Sequence, residues 1–422
     1  MTPGNQPAAS ELLVDNTRAD LALRCLATFQ MLLMLATWPL WFAPSRFPVV
    51  PLFSQSLPLL AIPVASVLLF LTCLAISLIR FPTAPTSSIS GRQRLCNLAL
   101  VAAVVPVICN QHCLQAWHWL FILAMLIAVT HTPEIRASQL RLTICTLYIC
   151  SGLSRITANP QAGIAGLIAR QLLEFLPGTP DHTADTVNLA CHALSALEIT
   201  TGIMLLFNSR RIRVPAVVLA VLMHASLLLA LGPTGLNHHP GVLLWNLCFP
   251  ILLPLLFLRG LPSAGKNHSF GAGGLLISVF SVSGLFALAD NWPAWQLYSA
   301  RPESWTLWVH RADTPELPLS LRPWLSSTVQ DDWVPVRLDR LSLHQIGSPL
   351  YPEDRFQLAI ISHTLQSLPE TVRFRVTVEE PRPLDWWNRS VRLISNRADL
   401  EKEHEAFILN SRALHTSNQP PL

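Results

Sequence analysis

Charged side chains are scarce in this chain. Asp, Glu, Lys and Arg make up 13% of its 422 residues, whereas a soluble globular domain carries about 25%. The shortage is confined to residues 21–288, and the chain after Asp290 has ordinary polarity. We therefore predict three parts: a polar segment over 1–20, a transmembrane helical domain over 21–288 and a soluble domain over 289–422.

Other absences narrow the class of protein further. The first 20 residues lack the basic stretch of a secretory signal, so we predict no cleavable signal peptide. The soluble domain has no cysteine, which excludes a disulfide scaffold there, and the nine cysteines up to Cys248 are interpreted as small apolar packing groups. The soluble domain also lacks G-x-S-x-G, Walker A and H-E-x-x-H motifs. The net charge of +4 gives no reason to expect a nucleic-acid partner.

Apolar runs of membrane-crossing length recur through the transmembrane domain. A helix needs about 20 apolar residues to cross the ~30 Å hydrocarbon core of a bilayer. Residues 95–130 would form one helix of about 54 Å with Asn110, Gln111 and His112 at its middle, so we predict a hairpin there. With that break the sequence predicts nine spans: 21–43, 57–79, 95–109, 114–130, 138–157, 187–207, 213–231, 242–258 and 272–288.

The basic residues of the loops divide between the two sides of these spans. One side holds Arg46 and Arg170, and the other holds most of the rest: Arg18, Arg80, Arg92, Arg94, Arg136, Arg210, Arg211, Arg213, Arg259 and Lys266. Short cytoplasmic loops carry the excess of Lys and Arg. We therefore expect a multi-pass protein in the lipid bilayer of a bacterial inner membrane, with a cytoplasmic N-terminus and the C-terminal domain on the outer (periplasmic) side.

The C-terminal domain has a different pattern. Residues alternate in polarity over Ser304–His310 and Thr371–Val378, which predicts strands. Asp354–Ser367 and Arg397–Ser411 have the spacing of amphipathic helices. The expected fold class is therefore an all-α polytopic membrane bundle of about nine transmembrane helices with a small C-terminal α+β soluble domain.

Polar residues at membrane depth are candidates for function, because they are costly to place in hydrocarbon. The predicted spans put eight of them in the outer half of the bundle, where they can form one outward polar pocket: Tyr148, Arg155, His192, Glu198, His224, His238, His239 and Asn246. We predict that Glu198 pairs with Arg155 or His224. Structural interpretations stay open, since Arg155 at a helix end can reach the headgroups and the histidines can be packing or loop residues.

Three segments resemble a known group of membrane proteins. Residues 148–155, Tyr-Ile-Cys-Ser-Gly-Leu-Ser-Arg, resemble the Tyr-x-x-(Ala/Ser)-Gly-x-x-Lys segment of the vitamin K-dependent γ-carboxylase-like (HTTM) proteins, and DoxX/MauE-like proteins carry a similar segment. Residues 110–117 look like the Asp-Gln-x-x-x-Gln-Pro-Trp hairpin of that group, and residues 224–246 look like its histidine-to-tryptophan/asparagine segment. The resemblance covers about residues 20–258 and implies a helical bundle with its N-terminus inside.

The resemblance also bears on activity. The group includes a quinol-dependent carboxylase and redox-associated membrane partners, and the lysine that closes its motif resembles a catalytic base. Arg155 stands at that position here. Arginine stays protonated and cannot accept a proton from substrate, although it can bind an anionic or carbonyl oxygen. We therefore expect no vitamin K-type carboxylation by this chain.

Two classes of function follow from the sequence. The first is a non-catalytic envelope or redox-associated membrane component, with an envelope or redox protein as its partner. The alternative is a membrane enzyme that acts on or with a quinone-like lipid. A transporter is third, because no inverted repeat or pair of broken helices is visible. The histidine spacing matches no specific metal motif, so no metal is expected. The sequence does not identify a cofactor or a catalytic residue.

Overall fold

The structure is a computed structural model that describes residues 9–54, 58–79, 89–157, 160–175, 183–258, 272–297, 299, 301–382 and 385–414. Parts of the sequence predictions lie outside the described residues: residues 1–8 of the polar N-terminal segment, the side chain of Arg18, and the loop charges at Arg80, Arg259 and Lys266.

The chain folds as two compact units. The first unit comprises Met1–Leu33, Leu69–Val101 and Ala116–Ala300. The second unit comprises Met34–Leu68, Ala102–Gln115 and Arg301–Leu422. The second unit thus joins two segments of the predicted transmembrane domain to the C-terminal domain.

Helices dominate the chain up to residue 284. The described helices are α1 (Ala9–Ala36), α2 (Trp38–Phe42), α3 (Ala61–Leu78), α4 (Ile89–Cys109), α5 (Ala116–Thr130), α6 (Pro133–Ser154), α7 (Ile164–Glu174), α8 (Ala184–Leu206), α9 (Arg210–Leu231), α10 (Pro240–Phe257) and α11 (Ala272–Gly284). The predicted break between α4 and α5 is confirmed. Asn110 adopts an extended conformation after α4, and its side chain accepts a hydrogen bond from the backbone N–H of His112 (3.2 Å).

Six of the described helices are long and apolar enough to cross a membrane, which indicates a multi-pass membrane protein: α1 through Ala19–Ala36, α3, α4 through Gly91–Cys109, α8, α9 and α10. The described helices do not establish the predicted nine spans. Helices α5 and α11 are apolar but have 15 and 13 residues, so they rise only about 22 and 20 Å. Helix α6 has 22 residues, but it carries Glu134, Arg136 and Arg141.

In the first unit, two glycines let α6 and α8 approach closely. A Cβ atom added at Gly152 of α6 would lie 2.8 Å from the carbonyl oxygen of Ser195, and one added at Gly202 of α8 would lie 3.1 Å from that of Cys145. Small residues permit such backbone contact between helices in a membrane. Arg155 of α6 and Glu198 of α8 form an ion pair between these two helices.

The second unit contains a four-stranded antiparallel sheet of order β2-β1-β3-β4, formed by β1 (Ser304–His310), β2 (Trp333–Pro335), β3 (Phe374–Arg382) and β4 (Asp385–Ile394). One face buries Leu307 and Val309 of β1 and Val376 and Val378 of β3. The α-helices of the C-terminal segment of this unit are α12 (Leu338–Ile346), α13 (Asp354–Gln366) and α14 (Arg397–Glu403). The small sheet predicted near the C-terminus is thus confirmed.

The predicted helix over 397–411 is wrong in its second half. The α-helix ends at Glu403, a 3-10 turn follows to Ala406, and the chain then becomes extended. The physical reason is that the later backbone groups bond elsewhere in the second unit. The Asn410 N–H donates to the Leu52 carbonyl (3.1 Å), and the Leu414 N–H donates to the Val49 carbonyl (2.8 Å).

Gln111 joins the three segments of the second unit. Its side-chain Nε2 donates to the carbonyls of Pro51 (3.0 Å) and Asn410 (2.6 Å), while its Oε1 accepts from Nε of Arg355 on α13 (2.8 Å). Both Gln111 and Arg355 are buried. Buried polar groups stabilise a fold only when they are satisfied, so this amide fixes how the C-terminal domain meets residues 49–52.

His112 adds a neutral contact beside Gln111. Its Nε2–H donates to the carbonyl of Pro349 (2.8 Å), and its ring packs edge-on against Phe47 and Phe356 at centroid distances of 5.5 and 4.9 Å. Complete burial lowers the pKa of His112 to about 4. The ring is therefore uncharged near pH 7, and the junction keeps its hydrogen bonds across the physiological range.

Replacing Arg355 by Met tests the junction. The variant removes the guanidinium that donates to Gln111 Oε1. The same guanidinium lies 3.7 Å from the Glu353 carboxylate, so that ion pair is lost too. Removal of one partner from a buried polar pair costs about 3–5 kcal/mol, so the melting temperature of the full chain in detergent should fall by several degrees. Arg337→Met is the matched control, because Arg337 and Asp339 form a pair with 44% and 49% of their side chains exposed. Equal melting temperatures for the two variants would contradict the role given to Gln111 and Arg355.

Candidate functional site

Three polar side chains of the first unit form a continuous hydrogen-bond chain. The Tyr148 hydroxyl on α6 lies 2.6 Å from Nε2 of His224 on α9, and Nδ1 of His224 lies 3.2 Å from Oδ1 of Asn246 on α10. The Asn246 amide nitrogen donates to the Val242 carbonyl (2.9 Å), which orients Oδ1 toward the histidine. We name these three residues the relay.

The orientation of Asn246 fixes the direction of the relay. An amide oxygen only accepts, so His224 Nδ1 carries the proton and Nε2 of the neutral ring is the acceptor. The Tyr148 O–H therefore donates to His224. A phenolic oxygen is also an acceptor, so a donor placed beside Tyr148 could pass a proton along the relay.

Aromatic rings surround the relay. Phe249 of α10 stacks on His224 at 4.6 Å with an interplanar angle of 5°, and it meets the edges of Tyr148 and Trp245 at 5.9 and 4.7 Å. The side chains of Tyr148, His224 and Asn246 are buried. In such surroundings the hydrogen bonds of the relay are stronger than they would be in water.

Arg155 and Glu198 form a second polar group in the first unit. Arg155 caps the C-terminal end of α6 and makes an ion pair with Glu198 of α8, with 10% and 11% of the two side chains exposed. The Arg155 guanidinium also donates to the carbonyl and hydroxyl oxygens of Ser151, both at 3.3 Å. The predicted pairing of Glu198 with Arg155 is confirmed, and the interpretation of Arg155 as a residue that only reaches for the headgroups is wrong.

The three remaining candidates have other positions. His239 begins α10, where its Nδ1 accepts from the Gly241 N–H (3.2 Å), and partial burial lowers the pKa of His239, which favours this neutral acceptor. Nδ1 of His238 accepts from the His239 N–H (2.9 Å). His192 is half-buried on α8, six residues before Glu198, so the two side chains point about 120° apart around that helix.

The structure therefore divides the predicted pocket. Five of its eight residues form two bonded groups, the relay and the Arg155–Glu198 pair, and two histidines order the loop before α10. Among the residues that the structure describes, no group of three or more His, Cys, Asp or Glu side chains is arranged to hold a metal ion.

One pair of buried polar side chains in the first unit was not predicted from the sequence. Gln30 Nε2 of α1 lies 2.9 Å from Nδ1 of His118 on α5, with both residues buried. The rule that polar residues at membrane depth are candidates could have identified both.

Comparison with known proteins adds no relative: no protein-family model, no curated protein and no solved structure matches this chain. The resemblance of residues 148–155 to the carboxylase-like group therefore stays a proposal.

Exchange of the Arg155–Glu198 pair for amides tests its energetic role. Arg155→Gln or Glu198→Gln alone leaves a buried charge without its partner and should lower the unfolding free energy by about 3–5 kcal/mol. The double variant removes both charges, so it should be more stable than either single variant. Unfolding in mixed detergent micelles measures all three. A double variant that loses the sum of the two single losses would show that the residues do not act as a pair.

Proposed function

We propose that this chain is a redox-associated component of a bacterial inner membrane that binds a quinone-like lipid at Tyr148 and exchanges a proton with it. The observation that carries the proposal is the direction of the relay. A quinol hydroxyl can donate to the Tyr148 oxygen while the tyrosine donates to His224. A quinone carbonyl can accept the Tyr148 proton when the direction reverses.

The surroundings of the relay suit a lipid-borne ring. The site is aromatic on the side of Phe249 and Trp245, which complements a flat conjugated ring. Helices α9 and α10 also expose large apolar side chains that can face lipid: Val218, Leu222, Leu229, Leu247 and Ile251. In this proposal the apolar tail of a quinone-like molecule stays in the bilayer, and its ring has to enter the packed site to meet the buried Tyr148.

Arg155 limits the chemistry of the proposed site. It stands where the carboxylase-like motif has lysine, and it pairs with Glu198. A guanidinium in an ion pair is not a base, so the absence of vitamin K-type carboxylation stays our prediction. Like any guanidinium, it can bind an anionic or carbonyl oxygen.

For the topology, we propose nine crossings with a cytoplasmic N-terminus and the C-terminal domain outside. The distribution of loop charges supports this arrangement. The second unit adds a separate argument, because Gln111 bonds both to residue 51 and to Arg355. The loops before α3 and after α4 both belong to the proposed outer side, so a C-terminal domain built around them must be on that side too.

Reporter fusions test the topology. Fusions after three residues should report the cytoplasm: Ser88, Ser209 and Ser263. Fusions after three others should report the outer side: Pro180, Pro240 and Ser326. A cytoplasmic signal from the Ser326 fusion would overturn both the number of crossings and the placement of the C-terminal domain.

Quinone binding tests the proposed function. The purified full chain in lipid nanodiscs should be labelled by a photoreactive azido-quinone, and unmodified quinone should compete. Tyr148→Phe removes one hydrogen bond to the ligand and should weaken binding about tenfold. The matched control is Tyr351→Phe, which removes a buried hydroxyl of the second unit and should leave binding unchanged.

The two contrary outcomes have different meanings. Equal binding by wild type and Tyr148→Phe would place the quinone elsewhere. Absence of any competed labelling would overturn the proposal and leave the relay as a packing network of a non-catalytic membrane component.

A further inference from the structure

Ser362, His404 and Ser411 of the second unit form a hydrogen-bonded series. Nε2 of His404 lies 3.0 Å from Oγ of Ser362 on α13, and Nδ1 of the same ring lies 2.8 Å from Oγ of Ser411. A serine hydroxyl within about 2.6–3.2 Å of a histidine that a third group orients is the geometric signature of an activated nucleophile. We name these three residues the serine–histidine series.

The backbone holds His404 and Ser411 in place. His404 begins the 3-10 turn that follows α14, and both residues are buried. Ser411 lies between Asn410 and Leu414, whose backbone N–H groups donate to carbonyls of the loop before α3. The partner that orients the histidine ring is therefore anchored on both sides.

Ser362 and His404 line a cavity of about 90 Å³. Gln366 and Arg412 line it too and are exposed, so the cavity opens to the surface. Two alanines add apolar wall: Ala359 and Ala413. A water molecule needs about 10–15 Å³ of such space. The cavity can therefore hold a group of a few heavy atoms, such as an acetyl ester.

His404 has to accept a proton at Nε2 if it is to activate Ser362. Burial of the ring lowers the pKa of His404, and the Arg412 guanidinium lowers it further. The carboxylates of Glu401 and Glu403 act in the opposite direction, and a second histidine, His363, lines the cavity. The net lowering favours a neutral ring near pH 7, and a proton on Nδ1 leaves Nε2 as the acceptor.

We propose that Ser362 is the nucleophile and His404 the general base of a hydrolase site for esters of short acyl groups, with Ser411 positioning the histidine ring. The absence of a G-x-S-x-G motif does not exclude this activity, because serine–histidine sites recur on unrelated folds and are recognised by geometry. The site shares no residue with the relay, so this proposal and the quinone proposal can fail separately.

The reaction balances in atoms and involves no oxidation. Ser362 Oγ bonds to the carbonyl carbon of the ester while its proton passes to His404 Nε2. The carbon–oxygen bond to the alcohol breaks, and the alcohol takes that proton. Water then attacks the acylated Ser362 while His404 again accepts a proton, which returns to Ser362 Oγ as the acyl–oxygen bond breaks. One ester and one water become one carboxylic acid and one alcohol.

Two donors at the cavity suit the negative charge that develops on the carbonyl oxygen during this attack. The Arg412 guanidinium, which forms an ion pair with Glu401, has several N–H groups. The Gln366 amide has two. Donors aimed at this oxygen lower the barrier to reaction.

The test uses the full chain in lipid nanodiscs at neutral pH, with p-nitrophenyl acetate as substrate and an ethyl fluorophosphonate as a probe that bonds to activated serines. We expect release of nitrophenolate and one phosphonylated residue, mapped to Ser362 by mass spectrometry. Ser362→Ala should abolish both signals, and His404→Gln should slow both at least about a hundredfold. The matched control is Ser367→Ala, which removes a half-buried hydroxyl just after α13 and should keep both.

The pH dependence of Ser411→Ala tests the positioning role. The rate of nitrophenolate release should rise with pH as His404 loses its proton, and then level off. An acceptor for the Nδ1 proton stabilises the charged ring. Its loss should therefore move the midpoint of the rise to lower pH and slow the plateau rate about tenfold.

Melting temperatures identify the variants that remain folded. A wild-type rate in folded Ser362→Ala, or a probe attached to another serine, would overturn the proposal. Wild-type protein that the probe does not label would also overturn it, and would leave the serine–histidine series as a structural contact. If His404→Gln does not fold, the Ser411→Ala profile decides, since an unmoved midpoint would contradict the role of His404 as the base.

Discussion

A polar side chain that is buried among apolar helices must find a partner within the protein, and this constraint organises both units. Water is not available there to satisfy a lost hydrogen bond. In the first unit, Tyr148, His224 and Asn246 satisfy one another in series, and Glu198 meets Arg155. In the second unit, Gln111 uses both ends of its amide at once. Each group fixes the relative position of elements that are distant in the sequence.

Local signals in the sequence are sufficient for much of the fold. Apolar length identifies helices such as α3, α9 and α10, the polar triplet at 110–112 marks the end of α4, and alternation identifies β1. The same signals do not show that residues 34–68 and 102–115 belong with the C-terminal domain. That assignment depends on contacts such as Gln111 with Arg355, which are 244 residues apart. Such contacts have no periodicity to reveal them.

At the candidate site, too, local sequence predicts some features, while others depend on contacts between residues that are distant in the sequence. The cost of polar groups in hydrocarbon is enough to select Tyr148, Glu198 and His224 from the sequence. This cost does not predict which of these side chains form hydrogen bonds or ion pairs with which partners. The role of His239 could have been predicted, because the proline that follows it is typical of the first position of a helix. The hydrogen bond between Gln30 and His118 could not, since it depends on how α1 meets α5.

The identity of the last residue in the relay has a chemical consequence. Asn246 orients His224 as a carboxylate would, but it brings no negative charge. The carboxylate of Glu198 is already matched by Arg155, which itself acts electrostatically on His224. In the proposed function, charge on the quinone-like ligand at Tyr148 would balance a proton on His224. In that proposal the relay would hold a proton only while the ligand gains or loses electrons. Proton transfer and electron transfer would then be coupled without an additional charged residue.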